Sequence, residues 1–139
     1  MPARRPNCLE CTPLMSESLP VLVVDDDEAI RSLVVRVLRR EQYETTEAAH
    51  GGQALERLRE RPFAAMVLDL MMPVMNGIEV IQYLETHDDA GAPCVIVVSA
   101  AAERELQQIQ SPSVHAVLRK PFELPALIAA VRDCSRRHE

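Results

Sequence analysis

With 139 residues, the chain is long enough for one domain and one core but not for two. Its formal charge of −6 argues against the basic face that nucleic-acid binding requires, and no apolar run approaches the roughly 18 to 20 residues of a membrane span. It has no Trp and only two Phe and two Tyr, so the core must be aliphatic.

The start, Met1-Pro2-Ala3-Arg4-Arg5, has no apolar signal-peptide core behind it, which makes a cytoplasmic protein the expectation. Residues 1–19 carry three Pro and no periodicity and read as a flexible extension. Within it, Cys8 and Cys11 form a lone Cys-x-x-Cys. Zinc would want a second pair, and His50, His87, His115 and His138 are scattered rather than set at ligand spacing. A redox pair would want a helix start after a strand, which this leader lacks.

The fold begins at Pro20. Val21-Leu22-Val23-Val24 is a continuous aliphatic run, the signature of a strand buried on both faces, and it ends in Asp25-Asp26-Asp27-Glu28. Helix capping accounts for Asp27 as N-cap and for Glu28 in the first turn. It does not account for Asp25 and Asp26, whose repulsion beside a buried strand costs stability unless a cation sits there. Ile30, Leu33, Val34, Val37 and Leu38 then recur at helical spacing, with Arg31, Arg36, Arg39 and Arg40 on other faces or in the last turn. Residues 43–48 are a less apolar strand, expected nearer an edge. Gly51-Gly52 breaks the chain, and Ala54, Leu55 and Leu58 mark a second helix up to Pro62.

Ala64 to Leu68 is again too short for a helix and suits a buried strand. Asp69 follows without a spacer, then Pro73 and Asn76-Gly77 to turn the chain. An isolated Asp in this place could merely cap a loop, but the ends of central strands are where open α/β sheets hold ligands. Ile78, Ile81 and Leu84 mark a third helix, closed by His87-Asp88-Asp89-Ala90-Gly91. Cys94 to Val98 is a fourth strand ending in Ser99. A short helix is expected over about 102–109, before Ser111-Pro112-Ser113. Val114 to Leu118 is a fifth strand ending at Arg119-Lys120-Pro121, and Leu124, Leu127, Ile128, Val131 and Cys134 give a strongly amphipathic last helix. Cys94 and Cys134 fall on apolar faces and read as small core residues.

Five strand–helix units with right-handed crossovers give an α/β fold with a parallel sheet covered on both faces. Three strands then deliver Asp25 and Asp26, Asp69, and Ser99 to one edge, where Lys120 arrives from the fifth. Clustered carboxylates suit Mg²⁺, Ser and Lys can donate to phosphoryl oxygens, and a carboxylate can itself form an acyl phosphate. Phosphoryl transfer needs chiefly positioning and neutralisation of charge, which this set can supply.

At these residues the sequence resembles a response-regulator receiver domain of two-component signalling. The matching pieces are Val21-Leu22-Val23-Val24-Asp25-Asp26, Asp69-Leu70-Met71-Met72-Pro73-Val74-Met75-Asn76-Gly77, Ser99-Ala100 and Lys120-Pro121-Phe122, in family order and spacing. The resemblance implies a flavodoxin-like sheet of order 2-1-3-4-5 with five helices, a domain over 20–136, and a tail at 137–139. It implies Asp69 as phosphoacceptor from a histidine kinase or a histidine phosphotransfer protein, and Ser99 and Lys120 as ligands of the phosphoryl group. It implies Mg²⁺ held by Asp26 directly, Asp25 through water, Asp69, and the Met71 backbone carbonyl. It also implies a cis Lys120–Pro121 peptide and a downstream protein partner. Self-association would use the face made by residues 102–109, the fifth strand and the last helix.

Three departures stand out. Val117 occupies the place where the family often has a switching Tyr or Phe. The glycine usual before the fifth strand is replaced within Ser111-Pro112-Ser113. No output domain is expected after the last helix. Two rival readings compete with this one. A haloacid-dehalogenase-type phosphatase needs Asp-x-Asp-x-Thr or -Val, where this chain has Ala29 last. A receiver-like interaction module indifferent to phosphorylation is opposed by intact Asp25, Asp26, Asp69, Ser99 and Lys120.

Overall fold

The computed structural model describes residues 19–72, 76–86, 93–100 and 114–136. The element order is β1 (Val21–Val24), α1 (Glu28–Arg40), β2 (Thr45–Ala48), α2 (Gly51–Glu60), β3 (Ala65–Leu68), α3 (Gly77–Thr86), β4 (Cys94–Ser99), β5 (Val114–Arg119) and α4 (Leu124–Arg136). The five strands form one parallel sheet in the order β2-β1-β3-β4-β5. Four helices are described. The expected helix at 102–109 lies outside the described residues, as do the leader 1–18 with Cys8 and Cys11, the 87–91 closure, the Ser111-Pro112-Ser113 segment and the tail 137–139.

Alternation along the strands splits the core in two, because successive side chains leave opposite faces of a sheet. Leu22, Val24, Met66, Leu68, Val95 and Val97 pack with Ala54, Leu55, Val80, Ile81 and Leu84, which are contributed by α2 and α3. Val21, Val23, Ala65, Val67, Ile96 and Val98 pack on the other face with Val34, Val35, Leu38, Leu127 and Val131, from α1 and α4. The central strands β1, β3 and β4 are buried at every position, which is why they read as unbroken aliphatic runs. The outer strand β2 is only partly buried, in line with its polar sequence.

Several local expectations change. Leu33 is exposed and Val35 is buried, so the inward stripe of α1 is Ile30, Val34, Val35, Val37 and Leu38. A helix packed across a sheet buries a face broad enough to take Val35, which the expected stripe did not include. Gly51 and Gly52 do not interrupt the chain but form the first turn of α2, with His50 Nδ1 accepting from the Gln53 amide at 3.2 Å as cap. Cys94 and Cys134 are buried as expected, yet they are joined in a disulfide rather than serving as separate core residues. Their separation of 40 residues hides this in the sequence; the packing of α4 on β4 brings their Cα atoms to 5.6 Å.

α1 ends in a nested pair of bonds, Gln42 N–H to Arg39 O and Tyr43 N–H to Leu38 O, both at 3.0 Å, and Gln42 takes φ 71° to make them. This is the place where glycine normally ends a helix. A β-carbon in the left-handed region costs roughly 1–2 kcal/mol, and glycine's extra chain freedom returns part of it. Gln42→Gly is therefore expected to raise stability by about 0.5–1 kcal/mol, read as a higher urea midpoint at unchanged slope. A lower midpoint would contradict the argument.

Candidate functional site

The strand register builds the site. Val24 pairs with Leu68 and Leu68 with Val97, so the residues that follow β1 and β3 emerge side by side at one sheet edge. The Asp69 amide donates to Val24 O at 3.0 Å, continuing the ladder one residue beyond the strand. Ser99 closes β4 opposite Arg119, and the Lys120 amide donates to Ser99 O at 3.0 Å, which sets Lys120 down beside the acids. The Lys120–Pro121 peptide is cis.

Asp25 and Asp69 are buried, at 5% and 4% exposure, and Ser99 is fully enclosed, while Asp26 is exposed. Lys120 Nζ donates to Asp25 Oδ2 at 3.1 Å and stands 3.5 Å from Asp69 Oδ2. The remaining oxygens are held locally. Asp25 Oδ1 accepts from the Asp27 amide at 2.9 Å, and Asp69 Oδ1 from the Met71 amide at 3.1 Å. Asp27 Oδ1 in turn caps α1, accepting from the Ala29 and Ile30 amides at 2.9 and 3.2 Å.

Burial raises the Asp69 carboxyl to about 6, and the Asp25 charge adds to that; the Met71 amide and Lys120 oppose it. Burial by itself would lower Lys120, but the two carboxylates outweigh it and the ammonium is held above its ordinary value. One oxygen from each of Asp25, Asp26 and Asp69 can lie within 4.8 Å of the others. Hard oxygen donors at that spacing fit a small divalent cation such as Mg²⁺.

Three supporting roles are absent from the sequence reading. Arg31 Nη1 donates to Asp25 O at 2.7 Å while its Nε pairs with Glu47 Oε1 at 3.1 Å, pinning the end of β1 to β2. No spacing rule marks an arginine for that task. Asn76 and Glu79 cap α3 reciprocally, Glu79 N–H to Asn76 Oδ1 at 3.0 Å and Asn76 N–H to Glu79 Oε1 at 3.2 Å. The Asn-x-x-Glu spacing could have revealed this box. Gly77 packs against the turn after Asp69: a β-carbon there would stand 2.7 Å from Asp69 O and 2.8 Å from Leu70 Cα. Met71 has an exposed side chain and Val117 is 42% exposed on β5. Pro73, Val74 and Met75 lie outside the described residues.

The model of the response regulator receiver domain matches residues 21–132. The DNA-binding response regulator MtrA of Mycolicibacterium smegmatis is 35% identical over 119 residues, 86% of this chain and 51% of that protein. The transcriptional regulatory protein SrrA of Staphylococcus aureus is 32% identical over 84% of this chain and 48% of its own length. The chain thus spans about half the length of these relatives. Among solved structures, a signal receiver domain from Bermanella marisrubri superposes with a TM-score of 0.78 at 36% identity, covering 85% of this chain and 98% of that one. The response regulator TrrA of Thermotoga maritima, in complex with Mg²⁺ and BeF, has a TM-score of 0.73 at 26% identity, covering 84% and 98%. With the fold, the acidic edge and these matches in agreement, the chain belongs to the response regulator receiver domain family.

Proposed function

We propose that this chain is a phosphoacceptor that takes a phosphoryl group from a histidine kinase or histidine phosphotransfer protein onto Asp69 and thereby switches the binding of a downstream protein. The observation that carries this reading is Asp69 itself: a buried carboxylate at the end of a central strand, with an ammonium 3.5 Å from Oδ2 and two more acids alongside. Met71 holds Oδ1, which leaves Oδ2 as the attacking oxygen. It forms a bond to phosphorus as the N–P bond of phosphohistidine breaks, and the imidazole leaves with the electron pair. Lys120, released from part of its pairing with Asp25, neutralises the transferred oxygens, and the Ser99 hydroxyl binds one of them.

Asp25, Asp26, Asp69 and the Met71 carbonyl would hold Mg²⁺, as TrrA is found with it. Both Asp25 oxygens already accept hydrogen bonds, from Asp27 and from Lys120, which favours Asp26 for direct contact and Asp25 for contact through water. When bound, the cation neutralises charge that builds on the phosphoryl oxygens. The domain would act on no separate substrate; it would catalyse only its own phosphorylation and dephosphorylation. We place it in the cytoplasm, where ATP-fed kinases operate, with no nucleic acid or membrane as its own ligand. The net charge of −6 is consistent with that, and no helix among the described residues is long and apolar enough to cross a membrane.

Intact mass after incubation with acetyl phosphate tests the proposal. One phosphoryl group should be gained with Mg²⁺, and none with EDTA or in Asp69→Asn; an unchanged yield in the variant would sink it. The same result decides a second reading, a receiver-like interaction module independent of phosphorylation, which the exposed Val117 at the usual aromatic place favours.

The lifetime of the phosphoryl group follows from the neighbours of the reacting centre. Hydrolysis needs a water aligned behind phosphorus, and a polar side chain two residues beyond Asp69 or Ser99 could hold it. Those places are Met71 and Ala101, of which Ala101 lies outside the described residues; alanine offers no polar atom and methionine only a weakly accepting sulfur, so neither holds water firmly. Slow self-dephosphorylation is expected, with Met71→Asn accelerating it severalfold, a rate change of the size of one hydrogen bond. Decay of the phosphorylated mass over time measures this. A fast wild-type decay that the substitution leaves unaltered would refute it.

A further inference from the structure

Cys94, His115 and Cys134 meet at the opposite end of β4 from Ser99, about 16 Å away along the strand. Cys94 and Cys134 are buried on the face covered by α1 and α4, and His115 reaches them from β5 with its side chain 23% exposed. One donor atom from each of the three lies within 4.8 Å of the other two. Two sulfurs and an imidazole are the donor set of a borderline-soft cation, chemically unlike the all-oxygen set around Asp69.

A disulfide alone would explain the two cysteines. It would not explain the imidazole, which comes from a third element and has Asp133 Oδ2 3.8 Å from its Nε2. That separation is beyond hydrogen-bond range, but it leaves the carboxylate beside the ring, where metal-bound histidines commonly have an outer partner. We infer that the reduced chain binds one Zn²⁺ through Cys94 Sγ, Cys134 Sγ and a ring nitrogen of His115, and that the disulfide is the oxidised, metal-free form of the same site.

The interconversion balances. A dithiol reductant gives two electrons and two protons to the S–S bond, yielding two thiols, and leaves as its own disulfide. Zn²⁺ then displaces both thiol protons as it bonds the thiolates, and three protein donors leave a fourth tetrahedral position for water. A small-molecule disulfide reverses the sequence: the thiolates lose two electrons as the S–S bond forms, the oxidant takes them up with two protons, and the cation departs. Of the three donors, His115 is the one that reaches solvent appreciably, with its side chain 23% exposed. In either form α4 is tied to β4, and the cation would tie β5 to both.

The test uses the full chain carrying Cys8→Ser and Cys11→Ser, so that the leader can supply no sulfur. Reduced, freed of reductant under anaerobic conditions and titrated with Co²⁺, it should develop a sulfur-to-cobalt charge-transfer band that saturates at one equivalent and is bleached by Zn²⁺. Cobalt on the carboxylates at Asp69 gives no such band. The oxidised chain should give none either, Cys134→Ser should remove most of it, and His115→Ala should weaken Co²⁺ at least about tenfold with circular dichroism unchanged. Absence of the band in the reduced chain, or its persistence undiminished in Cys134→Ser, overturns the site. If Cys134→Ser does not fold, His115→Ala decides, and Co²⁺ affinity equal to the parent's rejects the three-donor arrangement.

Discussion

In EDTA at neutral pH, Asp69→Asn is expected to melt several degrees above the wild type. Asparagine keeps the shape, and its Oδ1 can still accept the Met71 amide, but it removes a charge from a buried place. The Asp69 carboxyl is raised from 3.8 to about 6 by burial first and by Asp25 as well, against the pull of Met71 and Lys120. The unfolded chain therefore loses this proton before the folded one does. Between roughly pH 4 and 6 the native state binds more protons, so stability falls as pH rises through that window. The contribution is fully present below the unfolded value and lost above about 6. A shift of this size corresponds to at most about 3 kcal/mol at pH 7. Loss of one partner of Lys120 offsets part of it, so 1–2 kcal/mol is the expected gain in the variant, on the order of one pKa step. The advantage should shrink when both proteins are melted at pH 5. Adding Mg²⁺ should raise the wild type more than the variant, because a ligand of the folded state alone stabilises by mass action. A variant that melts lower in EDTA, or an advantage indifferent to pH, would remove repulsion and burial at Asp69 as the explanation.

Gly77→Ala is expected to destabilise the domain by about 1–3 kcal/mol and to slow phosphorylation at Asp69 together with it, the cost typical of forcing a methyl into a packed region. Alanine is the better helix former, by up to about 1 kcal/mol inside a helix, so propensity predicts the opposite sign. Contact decides. The added β-carbon would stand 2.7 Å from Asp69 O and 2.8 Å from Leu70 Cα, and backbone atoms cannot rotate aside as a side-chain tip can. Either α3 backs away or the turn after Asp69 moves, and both break the Gly77 amide bond to Leu70 O, 3.0 Å in the native fold. Gly52→Ala provides the control. Its β-carbon would meet only the His50 ring, at 3.3 Å, so its stability should stay within about 0.5 kcal/mol of wild type. Urea midpoints and the initial rate of mass gain measure both variants. Equal behaviour of the two would mean that the close approach at Gly77 carries no energetic weight.

The sheet and most of the chemistry brought to its edge are legible along the chain. Buried parallel strands must be aliphatic at every position, so β1, β3 and β4 were legible as unbroken runs, and the acids that end β1 and β3 stood out for breaking them. Asp27 was legible as a cap because capping is a local geometry of three residues. Features that depend on distance in space emerge only once the chain is folded. The Lys120 ammonium chooses Asp25 at 3.1 Å over Asp69 at 3.5 Å, Arg31 turns inward to a strand end, and Val35 rather than Leu33 faces the sheet. Cys94 and Cys134 meet across 40 residues, and His115 joins them from a third element. Periodicity records which way a side chain faces along its own element; it carries no record of which other element will lie opposite. That is set by strand order and register, which bring Val24, Leu68 and Val97 level and so place Asp25, Asp69 and Lys120 within reach of one another.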